Sequence, residues 1–235
     1  MWPFGQKKHE RVIISLTPQN LTCCWLKQTK KDNKIQIKAY KRIPLRQLEF
    51  SQAIIFNPTL LKHQIKTFLD TYRLHKLPAA LSVTGPKIIE KIVQVKTTSP
   101  TTQELAMPEL QTLTWDSMYL CPSQRGGFDF FVCGIKPEHL FSYQLLALSA
   151  GANITTIATE QLAHLHLYRH CHGDSFRQSK LSLDLLQQRY DPGALSSVDT
   201  LESLLSPDQA FDVDLHREHP FLGASLGLFL SEGRA

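Results

Sequence analysis

Read on its own, the 235-residue sequence predicts an α/β protein: a sheet flanked by helices, with a small βαββ-type unit inserted into it. Three observations carry this expectation. Three runs of strand-like composition follow one another between residues 11 and 43, and polar turns separate them. Segments with helical spacing then alternate with short apolar runs, as in a sheet whose later strands return in parallel. Between two of these, residues 87–136 carry strand signals around a Gly126-Gly127 turn.

The elements follow in order. Residues 11–17, 22–28 and 34–43 read as strands, and "KKDNK" is a turn by virtue of its Asp32 and Asn33, giving an antiparallel meander. Asn57 and Pro58 form a cap and first-turn pair, after which Leu61, Ile65, Phe68 and Tyr72 recur at helical spacing until Pro78. "AALSV" is apolar but for Ser82, the pattern of a strand buried on both faces. "KIIEKIVQV" reads as a strand, "SPTTQELAM" as at most a short helix, and "TWDSMYLCPSQRGGFDFFVCGI" as a hairpin. Pro137 opens a helix that Gly151 closes, "NITTIAT" is a strand, and Thr159 caps the helix "EQLAHLHLYRH" with Glu160 at its positive end. "KLSLDLLQQRYD" fits either period, and "DPGALSSVDTLESLLSPDQ" suggests turns around a short helix. Pro220 is expected to open a terminal helix whose Gly223, Ala224, Ser225 and Gly227 permit close approach of another backbone. The expected organisation is one unit, 1–235, with 11–85 and 151–235 as its core and 86–150 as the insert.

Charge is unevenly distributed. Residues 1–100 carry 18 Lys and Arg against 5 Asp and Glu, whereas residues 101–235 carry 8 against 16. The basic residues are scattered and no aromatic ladder accompanies them, which argues against nucleic acid. Trp2 and Phe4 followed by Lys7 and Lys8 could touch a membrane surface. No apolar run approaches the roughly 20 residues of a membrane span, and the opening lacks the apolar core of a signal peptide. Cys23, Cys24, Cys121, Cys133 and Cys171 sit mostly in apolar runs, so they are expected to be reduced thiols of a soluble, cytosolic protein.

Two constellations invite a chemical reading. His164, His166, His170, Cys171 and His172 crowd one stretch, and His166 and His170 would share a helix face at metal-ligand spacing. No second ligand pair exists, and histidines also suit a helix C-terminus, so no metal is assigned. No Cys-x-x-Cys occurs, the Gly-x-Ser-x-Gly at 223–227 falls inside the expected terminal helix and not at a strand-to-helix elbow, and Asp129, Glu160 and the acids of "DVDLHRE" read as surface charge. No catalytic residue is expected.

The segments "IQIKAYKRIPL", "FNPTLLKHQIKTFLDTYRLHKLPAALSVTGPKI", "FFVCGIKPEHLFSYQLLALSAGANITTIATEQLAHLHLY" and "FLGASLGLFLSEG", in that order and spacing, resemble the first half of the actin-like proteins of type IV pilus assembly, the PilM/HofM family. The resemblance implies a truncated actin-like (ribonuclease H-like) domain with an inserted βαββ-type subdomain. It also implies a partner, the cytoplasmic tail of a PilN-like bitopic membrane protein, held as an extended peptide between the main sheet and the insert. Val83, Gly85, Phe131 and Ile135 would floor that groove. The family's first hairpin carries an Asp-Ile-Gly type phosphate loop, but Ser15, Leu16, Thr17 and Pro18 stand there in this chain. The interval between "HGD" and the terminal helix is too short for the family's second domain, and Asp191-Pro192-Gly193 is the one Asp-x-Gly in it. The expectation is therefore a non-catalytic scaffold without a cofactor, cytoplasmic and peripheral to the inner membrane. A nucleotide-binding actin-like ATPase of the same machinery stands as the alternative.

Overall fold

The computed structural model describes residues 10–46, 50–51, 54–55, 57–85, 87–101, 103–105, 112–123, 126–173, 197–207 and 213–231. The expectations for Trp2, Phe4, Lys7 and Lys8, and for "KLSLDLLQQRYD", lie outside the described residues. Strands β1 (Glu10–Leu16), β2 (Asn20–Gln28) and β3 (Ile35–Pro44) form the expected meander. A two-residue pair, β4 (Phe50–Ser51) and β5 (Ile54–Ile55), precedes α1 (Pro58–Tyr72) and β6 (Pro78–Val83). The insert supplies β7 (Ile89–Val95), β8 (Thr114–Pro122) and β9 (Phe128–Ile135). The chain then adds α2 (Pro137–Ser149), β10 (Asn153–Thr159), α3 (Glu160–His172), α4 (Val198–Leu204) and α5 (Leu215–Ser231).

The main sheet has the order β10-β6-β1-β2-β3, antiparallel within the meander and parallel for β1, β6 and β10. Both of its faces are covered, which is why consecutive residues of β1, Val12, Ile13 and Ile14, are all apolar. Val12, Ile14 and Leu16 face one core together with Leu61, Ile65 and Phe68 of α1 and Tyr143, Leu146 and Ala147 of α2. Ile13 faces the other, with Ala163 and Leu167 of α3, Leu201 of α4 and Leu222 of α5. The adjacent Cys23 and Cys24 divide in the same way, one to each core. All five cysteines are free thiols, and burial pushes Cys23 up to about 12.

The local signals explain most boundaries. Asn57 Oδ1 accepts the Leu60 N–H at 3.1 Å and Thr159 Oγ1 accepts the Leu162 N–H at 3.2 Å, the two caps expected for α1 and α3. "SPTTQELAM" begins as a single turn: Leu105 N–H donates to the Thr101 carbonyl, and Glu104 Oε2 accepts the Thr101 N–H at 2.9 Å. The terminal helix differs from expectation. It starts at Leu215, five positions before Pro220, with Glu218 N–H donating to the Asp214 carbonyl at 2.9 Å. Proline has no N–H to give the His216 carbonyl, and His219 Nδ1 lies 3.1 Å from that oxygen instead.

The insert is a three-stranded antiparallel sheet of order β7-β9-β8. Packing draws its limit at Ile135: α2, which the boundary at 150 assigns to the insert, buries Tyr143, Leu146 and Ala147 against the main sheet. One face of the insert seats Met118, Leu120, Phe131 and Cys133 on Leu162, Leu165 and Tyr168 of α3. The close contact of α5 with α3 expected from small residues is present at Gly227, where a Cβ would lie 1.8 Å from the Ala163 carbonyl oxygen.

Candidate functional site

The three parallel strands end together. Leu16 pairs with Val83, and Val83 with Thr159, so the carboxyl ends of β1, β6 and β10 form one edge. Open α/β sheets bind ligands at such an edge. Three features lie along it: the turn after β1, the Thr84–Gly85 segment after β6, and the N-terminus of α3.

The turn after β1 is closed by its own hydrogen bonds. Thr17 N–H donates to the Asn20 carbonyl at 2.9 Å, and Asn20 N–H donates to Thr17 Oγ1 at 3.0 Å. The Gln19 carbonyl accepts the Leu45 N–H at 2.7 Å, which ties the turn to the end of β3. Pro18 lacks an N–H and the N–H groups of Thr17 and Asn20 are engaged, which leaves the turn few donors for a phosphate. The first position of α3, where an anion would meet the helix dipole, carries the carboxylate of Glu160.

Beside this edge the insert opens a cleft of about 320 Å³, lined by Gly85, Ile88, Glu90, Lys91, Ile92, Phe131 and Gln161. Four of these residues come from β7 or its approach, which among the described residues pairs only with β9 and so forms the edge of the insert sheet. Burial pushes the Glu90 carboxyl up to about 7, against the opposing pull of a Thr159 hydrogen bond. Glu160 rises to about 7 as well, first from burial and then from the charge of Glu90, while a Thr84 hydrogen bond opposes. Two carboxyls thus share one partly desolvated corner, each held near the neutral acid. Cys133, behind them, is pushed up to about 12 by burial and by Asp116 and Glu90, so it is not a poised nucleophile.

The four groove residues expected from the sequence divide here. Gly85 and Phe131 line the cleft, whereas Val83 and Ile135 lie in the core between the main sheet and α1 and α2. Phe131 itself is only 1% exposed and Ile135 8%, so both act chiefly as packing. Sequence reading missed Glu90, Lys91 and Gln161, and the exposed lining of the cleft is more polar than the apolar seam it expected. It also took three acids for surface charge that the fold uses otherwise. Asp129 is buried, Glu160 is desolvated beside Glu90, and Glu218 holds Arg42 through two contacts of 2.9 and 3.0 Å while accepting the Tyr40 hydroxyl at 2.6 Å. The histidine run spreads around α3: His164 is fully buried, burial pushes its imidazole down to about 3, and His170 is exposed. Among the described residues no three His, Cys, Asp or Glu side chains gather as a metal site.

An α/β sheet of this order and connectivity, with an antiparallel insert after its second parallel strand, is consistent with the actin-like fold expected from the sequence. The first of two similar solved structures has the same fold. The PilM-PilN type IV pilus biogenesis complex matches with a TM-score of 0.55 and 16% identity, over 69% of this chain and 51% of that one. The cytoplasmic domain of EpsL, an inner membrane component of the type II secretion system of Vibrio cholerae, matches over 66% of this chain and 57% of that one, with a TM-score of 0.41 and 13% identity. The chain thus spans about half the length of these two proteins. No protein-family profile and no curated protein matches the sequence.

Proposed function

We propose that this protein is a non-catalytic scaffold of a type IV pilus or DNA-uptake assembly machinery, and that it holds the cytoplasmic tail of a PilN-like inner-membrane protein in the cleft beside β7. The observation that carries this reading is the β7 edge forming one wall of a cleft at the carboxyl ends of the parallel strands. A strand edge offers main-chain hydrogen bonds to an extended peptide, and the flanking cleft reads its side chains. Glu90 and Glu160, whose carboxyls are raised to about 7, offer the corner hydrogen-bonding groups for the amides of a peptide, and above that pH they add negative charge. The self-bonded turn at Thr17–Asn20 supports the same choice.

The test is titration of the protein with a synthetic tail peptide, followed by fluorescence anisotropy. Glu90→Lys should weaken binding by about tenfold or more, the loss of one charge-assisted contact. Gln19→Ala in the exposed turn should leave it unchanged. Phe131 and Ile135 are unsuitable for this purpose, because a charge at either would disrupt packing before it reported on binding. A peptide that binds Glu90→Lys as well as wild type would remove the cleft from consideration. Heat from ATP and magnesium in calorimetry would favour the nucleotide-binding alternative.

A further inference from the structure

Away from that cleft, helix α2 is apolar on two sides. Tyr143, Leu146 and Ala147 are buried, yet Phe141, Leu145 and Leu148 are 62%, 54% and 58% exposed. Their spacing of four and three residues puts the exposed side chains in one stripe. Leu145 also borders a groove of about 430 Å³ between α2 and α1, lined by Ile55, Pro58, Thr59, Lys62 and Leu146 as well. Isolated apolar side chains on a surface are ordinary, but three large ones on a single helix face are a patch.

The charges around the patch choose its occupant. Lys62 sits in the groove, and Lys136 caps α2 at its N-terminus. Arg73 and Lys76 are exposed at the other end of the layer, where His75 Nδ1 lies 3.0 Å from the Gly151 carbonyl and ties the turn after α1 to the end of α2. The acids of the two helices are engaged within the chain: Asp70 holds Lys66 at 2.8 Å and His75 at 2.6 Å, and Glu138 lies 3.9 Å from Lys136. Two copies meeting on this face would crowd Lys62, Arg73, Lys76 and the Glu138-paired Lys136 of each into one interface. An anionic surface would instead meet all of them favourably.

We propose that the α1/α2 layer docks on an anionic lipid bilayer, with Phe141, Leu145 and Leu148 entering the headgroup region and Lys62, Arg73, Lys76 and Lys136 meeting lipid phosphates. The geometry is that of a helix lying in the plane of the interface, with apolar residues on one face and cations at its margin. The proposal does not rest on the peptide reading of the cleft, which opens on the insert side of the sheet.

Vesicle co-sedimentation tests it. The full chain should sediment with vesicles of phosphatidylcholine containing roughly a third phosphatidylglycerol, far less with phosphatidylcholine alone, and less in high salt. The double variant Leu145→Asp, Leu148→Asp replaces exposed side chains, so it should keep the wild-type circular dichroism while its partitioning falls by about tenfold or more. Lys62→Glu provides a second arm and should weaken binding without touching the apolar stripe. Failure of the wild type to bind anionic vesicles, or equal binding by the variants, overturns the proposal. A wild-type dimer that ignores vesicles and becomes monomeric in the double variant would overturn it in favour of self-association. Tail-peptide binding measured on the same variants should be unchanged, so this proposal and the cleft reading can fail separately.

Discussion

Glu90 and Glu160 place a measurable pH dependence on the fold. Each carboxyl has a folded-state value of about 7 against an ordinary 4.5, so the folded protein holds these protons more tightly than the unfolded chain. Their contribution to stability is fully present below 4.5 and is lost as pH rises through about 7. His164 has the opposite sign, because its folded value of about 3 lies below the ordinary 6.5. Its contribution is present above 6.5 and is lost as pH falls toward 3. Glu160→Gln keeps an acceptor for the Thr84 hydroxyl and removes the charge. At pH 8 it should raise stability by about 1 kcal/mol, a few degrees in melting temperature for a chain of this size, with the gain shrinking toward pH 5. Melting curves from pH 4 to 8 check this, and a gain that is independent of pH would contradict the assignment. Sequence placed Glu160 correctly on α3 but could not reveal its neighbour. Glu90 lies 70 positions away on a strand of the insert, and only the docking of that sheet on α3 brings the two carboxyls together.

Elements with their own punctuation were legible in the sequence. Asn57-Pro58, Gly126-Gly127, Pro137 with Gly151, and Thr159-Glu160 each set local backbone geometry, and each lies at or beside the boundary observed. The start of α5 was misplaced because a proline in the first turns of a helix resembles one at its first position. What separates them is the Asp214 carbonyl and side chain, which receive the first N–H groups. Of the small residues of α5, Gly227 makes the close approach expected, and it yields a prediction. At Gly227 a Cβ would collide with the Ala163 carbonyl and lie 3.2 Å from the Leu167 Cβ, and neither backbone can retreat without moving a helix. Gly227→Ala, although it improves helix propensity, should therefore cost about 1–3 kcal/mol. Urea unfolding measures it, and an unchanged or higher midpoint would mean that α3 and α5 are not packed backbone to backbone.

At the scale of the molecule the question is whether the insert is a separate unit or part of one cooperative fold. The alternation of elements predicts an insert but says nothing of its attachment, since a three-stranded sheet could be tethered only by its two connections. The structure gives it two seams. Phe131, Met118 and Leu120 pack on α3, while Ile88 and Ile135, at the insert's entry and exit, reach the core shared with α1 and α2. A sheet held on two sides gains little from detaching, because its own second core, around Val95, Leu105, Phe130 and Val132, is small. Unfolding should then be a single transition. Trp25 reports on the main sheet and Trp115 on the insert, as each packs against the core of its own unit. With Trp2 replaced, the single-tryptophan forms made by Trp25→Phe and by Trp115→Phe should each give one fluorescence transition that coincides with loss of circular dichroism. Phe131→Ala, which empties the seam, should lower both reporters together by about 3–5 kcal/mol. Should the Trp115 signal change at lower denaturant than the Trp25 signal, the insert opens by itself, and the β7 edge would be presented to a partner by a mobile sheet rather than by a fixed wall.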